Sequence, residues 1–345
     1  MCGILVYLGR DSINKNHSAI TSIKHRGPDF SDTYHTQVKD NNLTLGHTRL
    51  SIIDLTQEAN QPMHYNSSGY WIVFNGEIYN YIELRKELIK LGYKFYTASD
   101  TEVLIASYIH WGKSCLDRFN GMFSFAIWNE KNKELFIARD RYGVKPLYYI
   151  NNGKLLCFSS ELKQIQQLPG FSNKIKINSA YQFLEFGDFS FDNSTLWEDI
   201  EELEPGHFIN IKLNDWVYGE KINQKLWYNI FDRYKPIHLS KEDAIDKYKL
   251  LFEDSIKLRL RSDVPIGFAL SGGIDSSALV AYSSRKIKEN NNMSSFTLYS
   301  NVDGFDEREY ATQLINGLNL NPNFVEISND FIKNNLESLI QIHDL

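Results

Sequence analysis

A cysteine stands directly behind the initiator methionine and opens the apolar run CGILVYL at residues 2–8. The run reads as a buried strand, and the cysteine at its head narrows what can be built around it. Removal of Met1 makes Cys2 the first residue, and a terminal cysteine carries a nucleophile and a base on one residue. The thiol attacks; the α-amine, which titrates near pH ~7.7–8.0, accepts the thiol proton directly or through one water. No histidine is required.

The 345 residues suggest two domains. In the first half the sequence predicts a helix over 16–25 and a loop at His25-Arg26-Gly27-Pro28-Asp29, where Pro28 pushes Gly27 out of helical geometry. One or two strands are expected over 43–53, and a strand over 70–74 ending in the turn chemistry of Asn75-Gly76. A helix follows over 81–91, with Leu84, Leu88 and Leu91 on one face. Ser99 and Asp100 cap the next helix. Hairpins are expected over 122–138 and 146–159. A net charge of −6 with no basic tract excludes a general nucleic-acid binder. No stretch reaches the ~18 apolar residues of a membrane span, and the N-terminal run lacks the basic lead of a signal peptide. Three dispersed cysteines without a CxxC spacing argue against a disulfide framework or a zinc site, and for a reducing cytoplasm.

Six short stretches then occur in order: CGI at 2–4, HRGPD at 25–29, RLSIID at 49–54, NGEIYN at 75–80, SDTE at 99–102 and ARDRYGVKPLYY at 138–149. Together they resemble the glutaminase domain of the glutamine-dependent asparagine synthetases. The resemblance implies an α+β N-terminal-nucleophile domain of layered antiparallel sheets with helices. It makes Cys2 the nucleophile that takes the glutamine side chain as a thioester and releases ammonia. Asn75 and Gly76 become the oxyanion donors, and glycine lets the backbone approach closely. Arg49 is the bidentate partner of the substrate α-carboxylate. Glu77 and Asp100 hold the α-ammonium, and Leu50, Ser51, Ile52 and Ile53 line the same pocket.

The second half begins with a long helix, expected to be capped by Ser240 and to run to about 261, with Ile245, Tyr248, Phe252 and Ile256 on one stripe. A short apolar strand at 264–270 leads into SGGIDSS at 271–277, and a helix follows. Strand, glycine-rich loop and helix N-terminus make an anion site. No lysine stands in Walker-A spacing. The loop instead resembles that of the synthetases that cleave ATP to AMP and pyrophosphate. On that resemblance Leu270, Ser271, Gly272, Gly273, Asp275, Ser276, Ser277 and Leu298 bind ATP, and Asp275 helps hold Mg²⁺. Strands at 295–299 and 323–327, alternating with helices, predict an α/β doubly wound parallel sheet.

The expected domains are 2–190, a connecting region 191–239, and 240–345. The Ser-Gly-Glu-Gly-x-Asp-Glu stretch and later lysine that follow in the family are absent from these residues, so the ATP-pyrophosphatase domain is expected to be incomplete. The resemblance implies an asparagine synthetase that draws ammonia from glutamine and joins it to aspartate through β-aspartyl-AMP. The alternatives are a stand-alone glutaminase, a relative that amidates another carboxylate such as a surface-polysaccharide precursor, and a non-catalytic binding protein. The partners expected are glutamine, aspartate and ATP, with neither nucleic acid nor membrane. A homodimer is expected, or a second chain that supplies the missing C-terminal region.

Overall fold

A computed structural model describes residues 1–66, 68–187, 193–286, 293–302 and 306–343. It divides into two compact units, Met1–Tyr234 and Lys235–Leu345.

The first unit is built on the strand Gly3–Gly9, every residue of which is buried. Its side chains alternate between two cores, as the pleat requires. Ile4, Val6 and Leu8 face Val73, Ala126, Trp128 and Ile137 of a second sheet. Leu5 and Tyr7 face Ala19, Ile20, Leu162 and Ile165 on the opposite side. The strand therefore needs apolar residues on both faces, and CGILVYL supplies them without alternation. Its sheet has six antiparallel strands in the order Ile200–Glu202, Tyr148–Asn151, Leu156–Ser159, Gly3–Gly9, Asn41–Arg49, Phe30–Val38. The second sheet, also antiparallel, runs Lys225–Leu226, His207–Lys212, Glu134–Arg139, Gly121–Asn129, Tyr70–Ile78, Met63–His64. Helices Tyr81–Lys90 and Asp100–Trp111 cover its outer face through Leu84, Leu88, Val103 and Leu104. The result is helix, sheet, sheet, helix: the layered α+β architecture expected.

Several local expectations change. The helix expected over 16–25 is the single turn Ser18–Thr21, because the following residues turn toward the HRGPD loop. The strand expected at 70–74 extends to Ile78, so Asn75 and Gly76 lie inside a ladder, opposite Ser124 and Phe123, rather than in a turn. Leu91 lies past the last turn of its helix and is exposed. Phe30–Val38 is an edge strand that polar residues concealed from a hydrophobicity reading. The region 191–239 is not a free connection. Its strands Ile200–Glu202 and His207–Lys212 pair into the two sheets, and the division falls after Tyr234.

In the second unit, Ser240 caps Lys241–Arg259 by accepting from the Asp243 amide. Ile256 is buried on that helix, whereas Ile245 and Tyr248 are exposed. Strands Gly267–Ala269, Ser294–Tyr299 and Asn321–Glu326 form a parallel sheet in chain order. Helices Ile274–Lys286 and Arg308–Leu318 connect them, and Leu270, Val280, Met293, Ala311 and Ile315 form the core between. Three strands in chain order contain no reversal, so the switch point that defines a doubly wound sheet is not among the described residues.

Candidate active site

The register of the first sheet sets Gly3 opposite Thr48, which brings Cys2 beside Arg49 and Leu50. The Leu50 amide donates to Cys2 Sγ at 3.4 Å, and the thiol reaches the Leu50 carbonyl at 3.6 Å. The HRGPD loop fixes the other side. Arg26 Nε donates to the Cys2 carbonyl at 3.1 Å, and its Nη1 is 2.6 Å from Glu161. Glu161 also pairs with Lys163 at 2.8 Å and lies 3.0 Å from His25 Nε2. Gly27 is required by crowding, since a Cβ there would stand 2.3 Å from the Thr48 carbonyl carbon. Asp29 accepts from the Ser51 amide at 2.7 Å.

Cys2 opens onto a cavity of about 370 Å³ lined by Met1, Arg49, Leu50, Ile52, Ile53, Gln61, Asn75, Gly76, Glu77, Ser99, Asp100, Thr101, Met122, Val144 and Lys145, among others. Nine of the ten residues expected at the glutamine site are on its wall. The exception is Ser51, whose amide is turned to Asp29 instead.

The side chains differ in how far they are already engaged. Asn75 is 1% exposed, and neither its Nδ2 nor its Oδ1 has a partner. A buried amide left open is expensive unless something else satisfies it. Gly76 has no room for a side chain, because a Cβ would lie 2.2 Å from the Met122 carbonyl oxygen across the ladder. Arg49 is the opposite case. Its Nη1 donates to the Thr56 carbonyl at 2.8 Å and to Asn60 Oδ1 at 2.7 Å, and its Nη2 reaches the Ile53 and Asp54 carbonyls. The guanidinium thus stitches the 53–60 loop, and a bidentate grip on a carboxylate requires it to exchange partners. Asp54, held at φ +56°, carries that loop to the next element by accepting from the Ala98 amide at 2.6 Å.

Asp100 opens its helix behind the Ser99 cap, and its Oδ2 accepts from the Ile78 amide at 2.9 Å. Burial pushes its carboxyl up to about 7; the Ile78 bond opposes this, and the charge of Glu77 adds to it. Burial likewise raises the Cys2 thiol, against the pull of the Leu50 amide. The Met1 α-amine is lowered, by burial first and then by Arg26 and Lys145.

Lys145 is a cavity residue to which the sequence reading gave no role, although it lies inside the motif ARDRYGVKPLYY. Its loop is folded around the preceding pair. Asp140 accepts from the Tyr142, Val144, Phe123 and Lys145 amides at 3.0–3.1 Å. Arg139 donates to the Lys145 carbonyl at 2.8 Å and to the Gly143 carbonyl at 2.9 Å, where Gly143 sits at φ +66°. A motif dense in charge thus conceals one cation aimed at the cavity among others that only hold the loop.

In the second unit, the loop after Gly267–Ala269 turns directly into the helix Ile274–Lys286 and is closed by its own hydrogen bonds. Ser271 Oγ lies 3.1 Å from Ser276 Oγ, and the Ser277 amide donates to the Gly273 carbonyl at 3.0 Å as the helix begins. Gly272 has φ +82°, and a Cβ there would meet the Tyr310 Cβ at 2.5 Å. Gly273 meets nothing nearer than Ser271 Oγ at 3.5 Å. Leu270 is buried, whereas Leu298 and Asp275 are exposed. Among the described residues no cluster of three or more His, Cys, Asp or Glu side chains is placed to hold a metal ion. Likewise, no helix among them is long and apolar enough to cross a membrane.

Comparison with known proteins agrees with this division. The family model for the glutamine amidotransferase domain matches residues 1–223, and that for asparagine synthase matches 247–345. The chain is 36% identical over 321 residues to asparagine synthetase (glutamine-hydrolyzing) 1 of Bacillus subtilis, covering 92% of this chain and 48% of that protein. It is also 36% identical over 266 residues to asparagine synthetase (glutamine-hydrolyzing) 3 of the same organism, covering 75% and 41%. The chain spans about half the length of these curated relatives. With its first 223 residues matched from end to end by the amidotransferase model, the protein belongs to the glutamine amidotransferase domain family.

Proposed function

We propose that the first unit hydrolyses glutamine at Cys2 and that the ammonia serves asparagine formation at the second. The observation that carries the first step is the meeting of Cys2 with the open, buried amide of Asn75 in one cavity. After Met1 is removed, the α-amine takes the thiol proton and sulfur attacks the side-chain carbonyl of glutamine. The carbonyl oxygen becomes an oxyanion that receives the Asn75 amide and the Gly76 N–H. Collapse breaks the C–N bond, the amine proton goes to the departing nitrogen, and ammonia leaves a thioester. Water then gives glutamate and restores the thiol. Glu77 and Asp100 receive the α-ammonium, Leu50, Ile52 and Ile53 hold the aliphatic chain, and Arg49 reaches the α-carboxylate by exchanging a loop carbonyl.

In the second unit the residues present fit a phosphate. Ser271, Gly272, Gly273, Ser276 and Ser277 would receive the ATP phosphates at a helix N-terminus, with Leu270 and Leu298 toward the base. When bound, ATP activates the aspartate side-chain carboxylate toward ammonia. Mg²⁺ fits only as a phosphate-bound ion, with Asp275 as the one acidic residue of the loop. The compartment proposed is the cytoplasm, consistent with three free cysteines.

The test is to confirm loss of Met1 by intact mass, then assay glutamate, asparagine, AMP and pyrophosphate with glutamine, aspartate, ATP and Mg²⁺. Glutamate release is expected. If Cys2→Ala still releases glutamate, the nucleophile assignment is wrong.

A further inference from the structure

Lys145 is 4% exposed, yet its ammonium has a poor partner: Nζ lies 3.1 Å from Met1 Sδ, and a thioether is a weak acceptor. Glu77 and Asp140 act on it through space, without a hydrogen bond. The residue that holds it is the one that must be cut away before Cys2 can act. Excision of Met1 removes that partner from an ammonium that lines the same cavity as Cys2, on a loop held by Arg139 and Asp140.

The other charges near that terminus are already committed. Arg26 is paired with Glu161 and bonded to the Cys2 carbonyl. Arg49 is bonded to its loop, Asp29 to the Ser51 amide and Asp100 to the Ile78 amide. Glu77 stands on the neighbouring strand. Lys145 is thus the cation whose side-chain ammonium loses, with Met1, the hydrogen-bond partner it has among the described residues.

We propose that Lys145 is a positioning residue: once Met1 is gone, its ammonium stands against the Cys2 α-amine and keeps that amine in its base form at neutral pH. This rests on the assignment of Cys2 as nucleophile. A neighbouring positive charge disfavours protonation of an amine, and burial strengthens the effect.

The test is the pH dependence of kcat at saturating glutamine for the mature enzyme, Lys145→Met and Lys145→Arg. Saturation keeps Asp100 paired with substrate and out of the profile. Lys145→Met should move the acid limb upward by about half to one pH unit, lowering kcat about three- to tenfold on that limb while leaving the alkaline plateau. Lys145→Arg should restore the limb. Equal loss at every pH would mark a structural role. A raised KM with an unmoved limb would assign Lys145 to the substrate instead. Either result overturns the proposal. A second readout needs no turnover: the ¹³C shift of the residue-2 α-carbon is titrated in the Cys2→Ala background with and without Lys145→Met. An unmoved amine alongside inactive Cys2→Ala rejects the Lys145 role alone, whereas active Cys2→Ala rejects the nucleophile reading beneath it.

Discussion

The cavity of the first unit gathers Cys2, Arg49, Asn75, Glu77, Asp100 and Lys145 from five separate stretches of chain and buries most of them. The loop of the second unit takes Leu270 to Ser277 from one stretch and leaves Ser271, Gly273 and Asp275 exposed. In the first, sheet register and carboxylates such as Asp140 and Glu161 hold the backbone and most of the side chains in place, and Arg49 alone must exchange a loop carbonyl to reach a carboxylate. In the second, one turn and one helix end carry the whole proposed phosphate site, with the Gly273 and Ser277 amides bonded inside the loop. Buried donors that need no rearrangement are suited to a transition state; a contiguous exposed loop is suited to binding alone.

The largest effect that should separate the two regions is Cys2→Ala. Glutamate release should fall to about a thousandth or less, while phosphate or ATP binding measured by calorimetry stays within about twofold. A coupled loss at both sites would break the comparison. Next comes Asn75→Ala, expected to lower kcat by about 10²–10³ with little change in KM, since its amide serves the oxyanion. An unchanged kcat would remove Asn75 from that role and make its open amide a mere packing defect.

Asp100 sharpens the contrast through pH. With its folded carboxyl pushed up to about 7 from an ordinary value of 3.8, the folded protein holds a proton that the unfolded chain has released between those values. Stability therefore declines as pH rises from about 4 to 7. Asp100→Asn should flatten that decline, raising stability above pH 7 by about 2–4 kcal/mol, read as melting temperature against pH. It should also weaken glutamine binding. In the native enzyme KM should rise as pH falls below 7, by up to about tenfold per unit, because the α-ammonium needs the carboxylate. A flat KM between pH 5 and 7 would place the α-ammonium elsewhere.

The smallest effect lies in the loop. Gly272→Ala introduces a Cβ 2.5 Å from that of Tyr310 at φ +82°, which should destabilise the second unit by about 1–2 kcal/mol and weaken phosphate binding severalfold. Gly273→Ala has room and should fold normally. Identical behaviour of the two variants would show that the loop is looser than its geometry.

What could be read without coordinates divides along the same line. SGGIDSS was legible as a loop between a strand and a helix because its glycines and serines are contiguous, and the first strand because it is apolar throughout. The dipeptide Asn75-Gly76 by itself favours a turn, yet the ladder to Ser124 and Phe123 overrides that preference. Arg49 was legible as a cation of the site, but not its use as a loop staple, since main-chain carbonyls leave no mark on a sequence. Lys145 was hidden for a related reason: only the fold distinguishes it from Arg139 and Arg141, two cations that bond to carbonyls.

The pairing of Gly3–Gly9 also has a consequence for synthesis on the ribosome. The strand made first lies between Asn41–Arg49 and Leu156–Ser159, with Leu5 opposite Ser159. At about 5–20 residues per second its second neighbour emerges roughly 10–30 s later. Throughout that interval the most apolar segment of the chain keeps one edge unpaired, and its tip must stay accessible to the aminopeptidase that trims Met1. Slow translation upstream of residue 156 should therefore favour trimming and aggregation alike, and a fusion at the N-terminus should prevent maturation altogether.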